Sequence, residues 1–179
     1  MKDKENKVSG FEKLWAPWRM EYIEGIDVEN CGECIFCEKP KERDDRKNFI
    51  IHRGKQCFVI LNIFPYNNGH LMIVPYRHIS EYEDLDSETL LEMMDIVKSV
   101  ITAMKKNMRP DGFNIGMNLG RSAGAGIAEH LHLHVVPRWN GDTSFISVTG
   151  GTKVISESLE DTYDKLSKAL KDCLKNKCS

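Results

Sequence analysis

The chain lacks any run of roughly 18 consecutive apolar residues, the length a helix needs to cross a bilayer, so no helical membrane span is expected. Its first thirteen residues are rich in Lys and Glu and contain no apolar core of the signal-peptide kind, which sets the expectation of a cytoplasmic protein. An excess of either charge is also missing: 25 Lys and Arg stand against 27 Asp and Glu, a formal net charge of −2. No overall basic field is available to hold a nucleic-acid polymer, although a local anion pocket stays open. Nor do the six cysteines resemble the even framework of a small secreted domain. Cys31, Cys34 and Cys37 cluster early, Cys57 stands apart, and Cys173 and Cys178 lie near the carboxyl end. With a reducing compartment expected, the reading is metal ligation rather than disulfides.

What is present is enough for one domain with a substantial core: 179 residues, 41% of them apolar. Residues 1–13 read as a solvated, poorly ordered tail, and residues 14–179 as a single domain. Within it, residues 14–55 form an amino-terminal segment carrying Trp15, Trp18 and the cysteine cluster, 56–142 the central region, and 143–179 a carboxyl-terminal extension. The charged stretch from Lys39 to Lys47 reads as a surface loop. Cys57–Leu61 and Leu71–Val74 are short apolar runs bounded by turn signals and read as buried strands. Pro65, Asn67, Asn68 and Gly69 supply the turn between them.

A helix begins near Asp86 or Ser87, where capping residues occur, and runs to about residue 106. Its expected apolar face is Leu90, Met94, Val97, Ile101 and Met104. Phe113–Asn118 reads as a further strand, and a last helix, Ser158 to Leu174, repeats the periodic pattern through Leu159, Tyr163, Leu166, Leu170 and Leu174. Strands of one mainly antiparallel sheet with helices segregated to one face make an α+β domain.

The most informative run is His130-Leu131-His132-Leu133-His134-Val135-Val136, which holds three of the six histidines. In an extended strand, alternate side chains share a face about 6.5 to 7 Å apart, so three imidazoles would line one side while Leu131, Leu133 and Val135 enter the core. Imidazole is the side chain that acts near neutral pH as nucleophile, acid, base or metal ligand. Three readings compete on the residues alone: a catalytic row, a single metal centre made by all three, and a merely polar strand face. Before the run lies the glycine-rich loop Leu119–Gly126, with Arg121, Ser122, Gly124 and Gly126, and after it comes Pro137–Thr143. Glycines let backbone amides approach an anion, although an ordinary flexible turn has the same composition. Placed beside histidines, the loop points to phosphoryl or nucleotidyl transfer.

Cys34-Ile35-Phe36-Cys37 supplies half of a tetrahedral zinc site and needs two more ligands; a redox pair and two unbound thiols are the alternatives. Cys31 has the spacing to compete with either cysteine.

The run from His130 to Val136 resembles the histidine-triad family, whose signature is His-X-His-X-His followed by two apolar residues. Leu61-Asn62, Pro65, Asn68-Gly69-His70-Leu71 and Val74-Pro75-Tyr76-Arg77-His78-Ile79 fit the same family in order and spacing, so the resemblance covers about residues 34–142. It implies a histidine-triad fold, an α+β domain with a mainly antiparallel five-stranded sheet and two main helices on one face. By position it implies that His132 attacks the α-phosphorus of a nucleotide, that His134 serves the leaving oxygen, and that His70 orients the triad. Asn62 corresponds to a ribose contact and Asn118 to an amide that contacts phosphate or orients the nucleophile. Gly126 and Ile127 stand where many members carry Gln and Ser or Thr, which throws more weight on backbone amides at Gly124 and Gly126, with Arg121, Ser122 and Thr143 as helpers.

For zinc-containing branches the resemblance implies Cys34, Cys37, His78 and His130 as ligands of a structural Zn2+. Trp15–Arg19, Ala123–Gly126 and Val136–Asp142 look most like the bacterial phosphorylase-type branch. The activity implied is cleavage of dinucleoside polyphosphates such as diadenosine tetraphosphate through an adenylyl-His132 intermediate, with inorganic phosphate or water as acceptor, in a homodimer. No nucleic-acid polymer, membrane or organic cofactor is expected. A nucleoside phosphoramidase is the rival within the family, and a nucleotide-binding regulatory module with negligible catalysis the rival outside enzymology.

Overall fold

A computed structural model of the chain describes residues 34–143 and 154–175. The expected tail, the Trp15–Arg19 segment, Cys31 and Cys178 lie outside them. Five strands form one sheet: β1 (Ile50–Arg53), β2 (Cys57–Leu61), β3 (Leu71–Pro75), β4 (Gly112–Met117) and β5 (Leu133–Arg138), in the order β1-β2-β3-β5-β4. Every neighbouring pair is antiparallel. The α+β expectation therefore holds. The strand absent from the sequence reading is β1, only four residues long and with its register broken between Ile50 and His52. So short a run offers little alternation to read.

Among the described residues three α-helices accompany the sheet: α1 (Ile35–Glu38), α2 (Ser87–Asn107) and α3 (Leu159–Lys175). Among the described residues no helix is long and apolar enough to cross a membrane. Helix α2 starts where Asp86 accepts hydrogen bonds from the Thr89 amide at 2.8 Å and the Thr89 hydroxyl at 2.9 Å, satisfying donors that the first turn leaves unpaired. Its buried face differs from the expected stripe. Met93, Ile96, Val97, Val100, Ala103 and Met104 enter the core, whereas Met94 is exposed and Leu90 and Ile101 are only half-buried. Apolar residues occur on more than one side of this helix, so periodicity admitted two phases, and packing against α3 and the sheet selected one.

The pleat divides the sheet into two apolar layers. Cys57, Val59, Leu61, Leu71, Ile73, Leu133 and Val135 face α2 and α3 in one cluster. Phe58, Ile60, Met72 and Val74 face the other way, packed with Phe36 of α1 and Ile50. Thus the two long helices share one face, as expected, and α1 covers part of the opposite one. Side chains alternate along β5, so Leu133 and Val135 fix His134 on the α1 side. There His134 sits between its cross-strand partners Met72 and Gly116.

Candidate active site and metal centre

The three histidines occupy a shorter strand than the sequence suggests. Pairing in β5 begins at Leu133, so His130, at a bend, and His132 precede the ladder and belong to the approach to it. That approach is held by the Leu131 amide, which donates to the Ile79 carbonyl at 2.8 Å, and by burial of Leu131 itself. Alternation nevertheless persists. The His132 and His134 ring centroids lie 4.8 Å apart and nearly perpendicular, closer than the backbone repeat because the rings lean together. Phe36 touches both His130, at 5.5 Å, and His132, at 5.2 Å.

Partner chemistry assigns a proton to each ring. A carbonyl can only accept, so the 2.8 Å contact between His132 Nδ1 and the His130 carbonyl puts the proton on Nδ1 and leaves the lone pair on Nε2. At His70, Nδ1 accepts from the Tyr66 amide at 3.0 Å, so the other ring nitrogen carries hydrogen. His70 Nε2–H then donates to His134 Nδ1 at 2.9 Å, which leaves the remaining proton of His134 on Nε2. That atom is buried without a hydrogen-bond partner, among the described residues. An unsatisfied buried donor costs about 1–3 kcal/mol, and such atoms in native structures call for an explanation; an incoming oxygen would satisfy this one. The pair therefore offers a lone pair on His132 and a proton on His134.

Burial keeps this row neutral. Desolvation, with His134 and His132 adding to it, pushes His70 down to about 3, and desolvation with the neighbouring His132 pushes His134 down to about 4. Desolvation also lowers His132, against the hydrogen bond to the His130 carbonyl, which acts in the opposite direction. A neutral His132 ring is thus retained below the ordinary histidine range.

A second cluster lies at the start of the same segment. Cys34 caps α1, and its carbonyl accepts the Cys37 amide at 2.8 Å, so one helical turn brings the two thiols together. His130 Nε2 donates to the Pro75 carbonyl at 2.9 Å, and its Nδ1 lone pair faces Cys34 Sγ at 3.3 Å and Cys37 Sγ at 3.6 Å. His78 Nδ1 lies 3.3 Å from Cys37 Sγ. All four ligand atoms fall within 4.8 Å of one another. Metal–sulfur and metal–nitrogen bonds near 2.3 and 2.05 Å give a tetrahedral S···N edge of roughly 3.6 Å, so the cluster fits a tetrahedral ion. The carbonyl behind His130 supplies the second hydrogen bond that orients a ligating imidazole. Burial and the neighbouring Cys34 hold the Cys37 thiol up, so binding a cation here would release a proton. The structure therefore separates His130 from the other two histidines and removes the single three-histidine metal centre from consideration.

The remaining sequence candidates are used less uniformly. Asn62 Oδ1 accepts the Phe64 amide at 2.9 Å, and its amide group lies 3.4 Å from His70 Nδ1, so Asn62 braces the loop that carries His70. Asn118 Nδ2 donates to the Gly124 carbonyl at 3.4 Å. Arg121 and Ser122 are exposed in a 3-10 turn, Arg121–Ala123, flanked by Gly120 and Gly124 at φ of 76° and 92°. In that loop the amides of Ala123, Gly124 and Ala125 are taken by the carbonyls of Gly120 and Arg121, which leaves fewer amides for an anion than the glycine content suggests. Gly126 and Thr143 are exposed. Two contributors escaped the sequence reading. Phe36, inside the cysteine motif, packs on His130 and His132, and Tyr66 lies over His70; only their position within already suspicious motifs could have marked them.

This combination, a two-faced antiparallel sheet carrying a neutral imidazole pair beside a Cys/His cluster, defines a class of protein. The HIT domain family model matches residues 43–141. The AP-4-A phosphorylase of Mycobacterium tuberculosis is 45% identical over 157 residues, spanning 84% of this chain and 80% of that protein. Among solved structures, a Zn-bound histidine triad family protein from Mycobacterium smegmatis is 29% identical, with a TM-score of 0.66 over 80% of this chain and 97% of that one. A hypothetical histidine triad nucleotide-binding protein from Sulfolobus tokodaii is also 29% identical, with a TM-score of 0.61 over 80% and 93% of the two chains. The chain belongs to the histidine-triad (HIT) family, and it is an enzyme of that family.

The depressed histidines carry a stability consequence. Each has a folded pKa below its ordinary value near 6.5, so its contribution is intact above pH 6.5 and is lost as pH falls toward about 4 for His134 and about 3 for His70. Over that window the unfolded chain binds a proton that the folded one refuses, about 1.4 kcal/mol per pH unit for each histidine. Denaturant titrations between pH 6 and 4.5 should give a slope shallower by close to one proton in His134→Gln than in the wild type.

Proposed function

We infer that the protein cleaves dinucleoside polyphosphates, diadenosine tetraphosphate among them, through a covalent nucleotidyl-His132 intermediate. The observation that carries this reading is the complementary protonation of the pair: His132 Nε2 holds a lone pair, and His134 Nε2 holds a buried proton with no partner among the described residues. In the first step His132 Nε2 forms a bond to the α-phosphorus while the bond from that phosphorus to the bridging oxygen breaks. His134 Nε2–H donates to the departing oxygen, which leaves as ATP from diadenosine tetraphosphate, or stabilises the non-bridging oxygens. As positive charge grows on His132, the His130 carbonyl accepting its Nδ1–H stabilises it. In the second step an acceptor oxygen attacks the adenylyl phosphorus and expels the imidazole, dividing one displacement into two.

Phosphate is the acceptor we favour, supported by the name of the M. tuberculosis relative, and it gives ADP and ATP; water would give AMP and ATP. His70 holds His134 in its donor tautomer. Arg121, Ser122, Gly124, Gly126 and Thr143 lie on loops next to the triad in sequence, and we assign them to the polyphosphate. Asn62 and Asn118 hold the elements around it, and Asn62 keeps a second lone pair on Oδ1 and a second N–H on Nδ2 for the sugar hydroxyls.

Zinc is the ion we assign to Cys34, Cys37, His78 and His130, in keeping with the two-sulfur, two-nitrogen donor set and the zinc in the M. smegmatis protein. Held by these four residues, it would supply a structural clamp between α1 and the approach to β5. We also infer a homodimer. The outward residues Leu91 and Met94 of α2, and Ile115 on the edge strand β4, are exposed apolar positions consistent with burial against a second copy.

Product analysis of diadenosine tetraphosphate reactions with and without inorganic phosphate tests the activity. ADP and ATP in equal amounts, dependent on phosphate, are expected, and His132→Ala should lower kcat by at least about a thousandfold while still binding nucleotide. Normal kcat in that variant would overturn the mechanism. AMP with ATP, unaffected by phosphate, would replace the acceptor with water, and turnover confined to adenosine 5′-phosphoramidate would favour the phosphoramidase. For the metal, one zinc per chain is expected in the purified protein. Cys37→Ser should lose most of that zinc and unfold at lower temperature, with chelation of the wild type reproducing the shift.

A further inference from the structure

The ring row has two ends, and only one is accounted for by packing. Phe36, at the His132 end, is buried at 1% exposure and belongs to the core layer. At the His134 end stands Tyr66, its ring centroid 4.6 Å from that of His70 with the planes inclined at 37°, and 5.8 Å from that of His134 at 32°. Tyr66 is 54% exposed. A large aromatic side chain that covers a buried imidazole pair and yet remains half in water has unused stacking surface beside the reacting groups.

The loop that carries Tyr66 is pinned at several points. Asn62 Oδ1 ties the Phe64 amide, and the Tyr66 amide itself donates to His70 Nδ1 at 3.0 Å. Asn67 is buried and donates to the Pro137 carbonyl at 3.0 Å and to Asp142 Oδ2 at 2.8 Å. Asn68 Oδ1 accepts the Thr162 hydroxyl of α3 at 3.3 Å. Gly69 makes the sharp return to His70 at a φ of 74°. The ring is therefore presented by a braced backbone, and little ordering is needed before a planar ligand stacks on it.

We propose that Tyr66 is a specificity-determining residue, whose exposed ring stacks the base of the departing nucleotide. This rests on the reading above, because it is His134, the donor to the leaving oxygen, that lies beside Tyr66. The substrate class it selects is a polyphosphate with a nucleoside at both ends. A single nucleoside polyphosphate fills the His132 side and leaves Tyr66 bare. Base–aromatic stacking tolerates any base because every base has a π-face, so the selection is for a second nucleoside rather than for its identity.

The test compares diadenosine tetraphosphate with adenosine 5′-tetraphosphate, calorimetrically, on full-length protein carrying His132→Ala so that neither ligand is consumed. With Tyr66 present the two-nucleoside ligand should bind about tenfold more tightly, the factor equivalent to roughly 1.4 kcal/mol of stacking. Tyr66→Ala should erase that preference by weakening diadenosine tetraphosphate alone, and Tyr66→Phe should keep it. Tyr66→Leu retains bulk without a π-face, and it should also lose the preference if the alanine variant fails to fold. Equal affinities with Tyr66 present, or equal weakening of both ligands in Tyr66→Leu, would overturn the proposal. Turnover by the protein with His132 intact reports separately on the function: no cleavage of either compound would sink that reading while the binding preference still judged Tyr66.

Discussion

The hydrogen bond from His132 Nδ1 to the carbonyl of His130, 2.8 Å long, is the constraint on which the site depends. It is local, spanning two residues, and it needs the backbone before β5 to be held in place. Leu131 does this twice, by entering the helix-facing core and by the bond from its amide to Ile79. Once the carbonyl is fixed, His132 has one tautomer and its lone pair one direction. Imidazole chemistry is thereby chosen by main-chain geometry rather than by an acidic partner, which would have raised the pKa that burial lowers.

The same carbonyl belongs to a residue with a second task. His130 turns its Nδ1 toward Cys34 and Cys37 and its Nε2–H toward Pro75 at the end of β3, so the Cys/His cluster holds the residue whose backbone orients the His132 ring. A zinc ion there would act on catalysis only through position. Phe36 strengthens the connection, since it sits between the two cysteines in sequence and against both imidazoles in space. At the other end, the chain from the Tyr66 amide through His70 to His134 fixes a proton where the row needs a donor. Two relays of opposite polarity thus converge on neighbouring rings, one delivering a lone pair and the other a proton.

Much of this was legible in the residues. The alternation of His130, His132 and His134 with Leu131, Leu133 and Val135 announces one polar and one core face, and the structure retains that division although the paired strand starts only at Leu133. Cys34, Cys37, His78 and His130 come together as the resemblance implied. Both long helices were readable because their periodic patterns are long, and β2 to β5 because turn signals bound their apolar runs. What escaped is local or relational. The strand β1 is too short to carry a period, and α2 has apolar residues on two faces, so tertiary packing chose Met93 and Ile96 over Met94. The glycine loop signalled anion-binding amides, but its turn consumes three of them internally. Asn62, expected at a sugar, also braces its own loop, a local bond that short polar side chains commonly make.

Long-range proton–nitrogen correlation spectra of the 15N-labelled protein at pH 7 test the central claim most directly, because they report which nitrogen of each imidazole carries hydrogen. Neutral rings with the proton on Nδ1 of His132 and on Nε2 of both His70 and His134 are the predicted result. A His132 ring protonated on Nε2, or an imidazolium at either His132 or His134, would contradict the account.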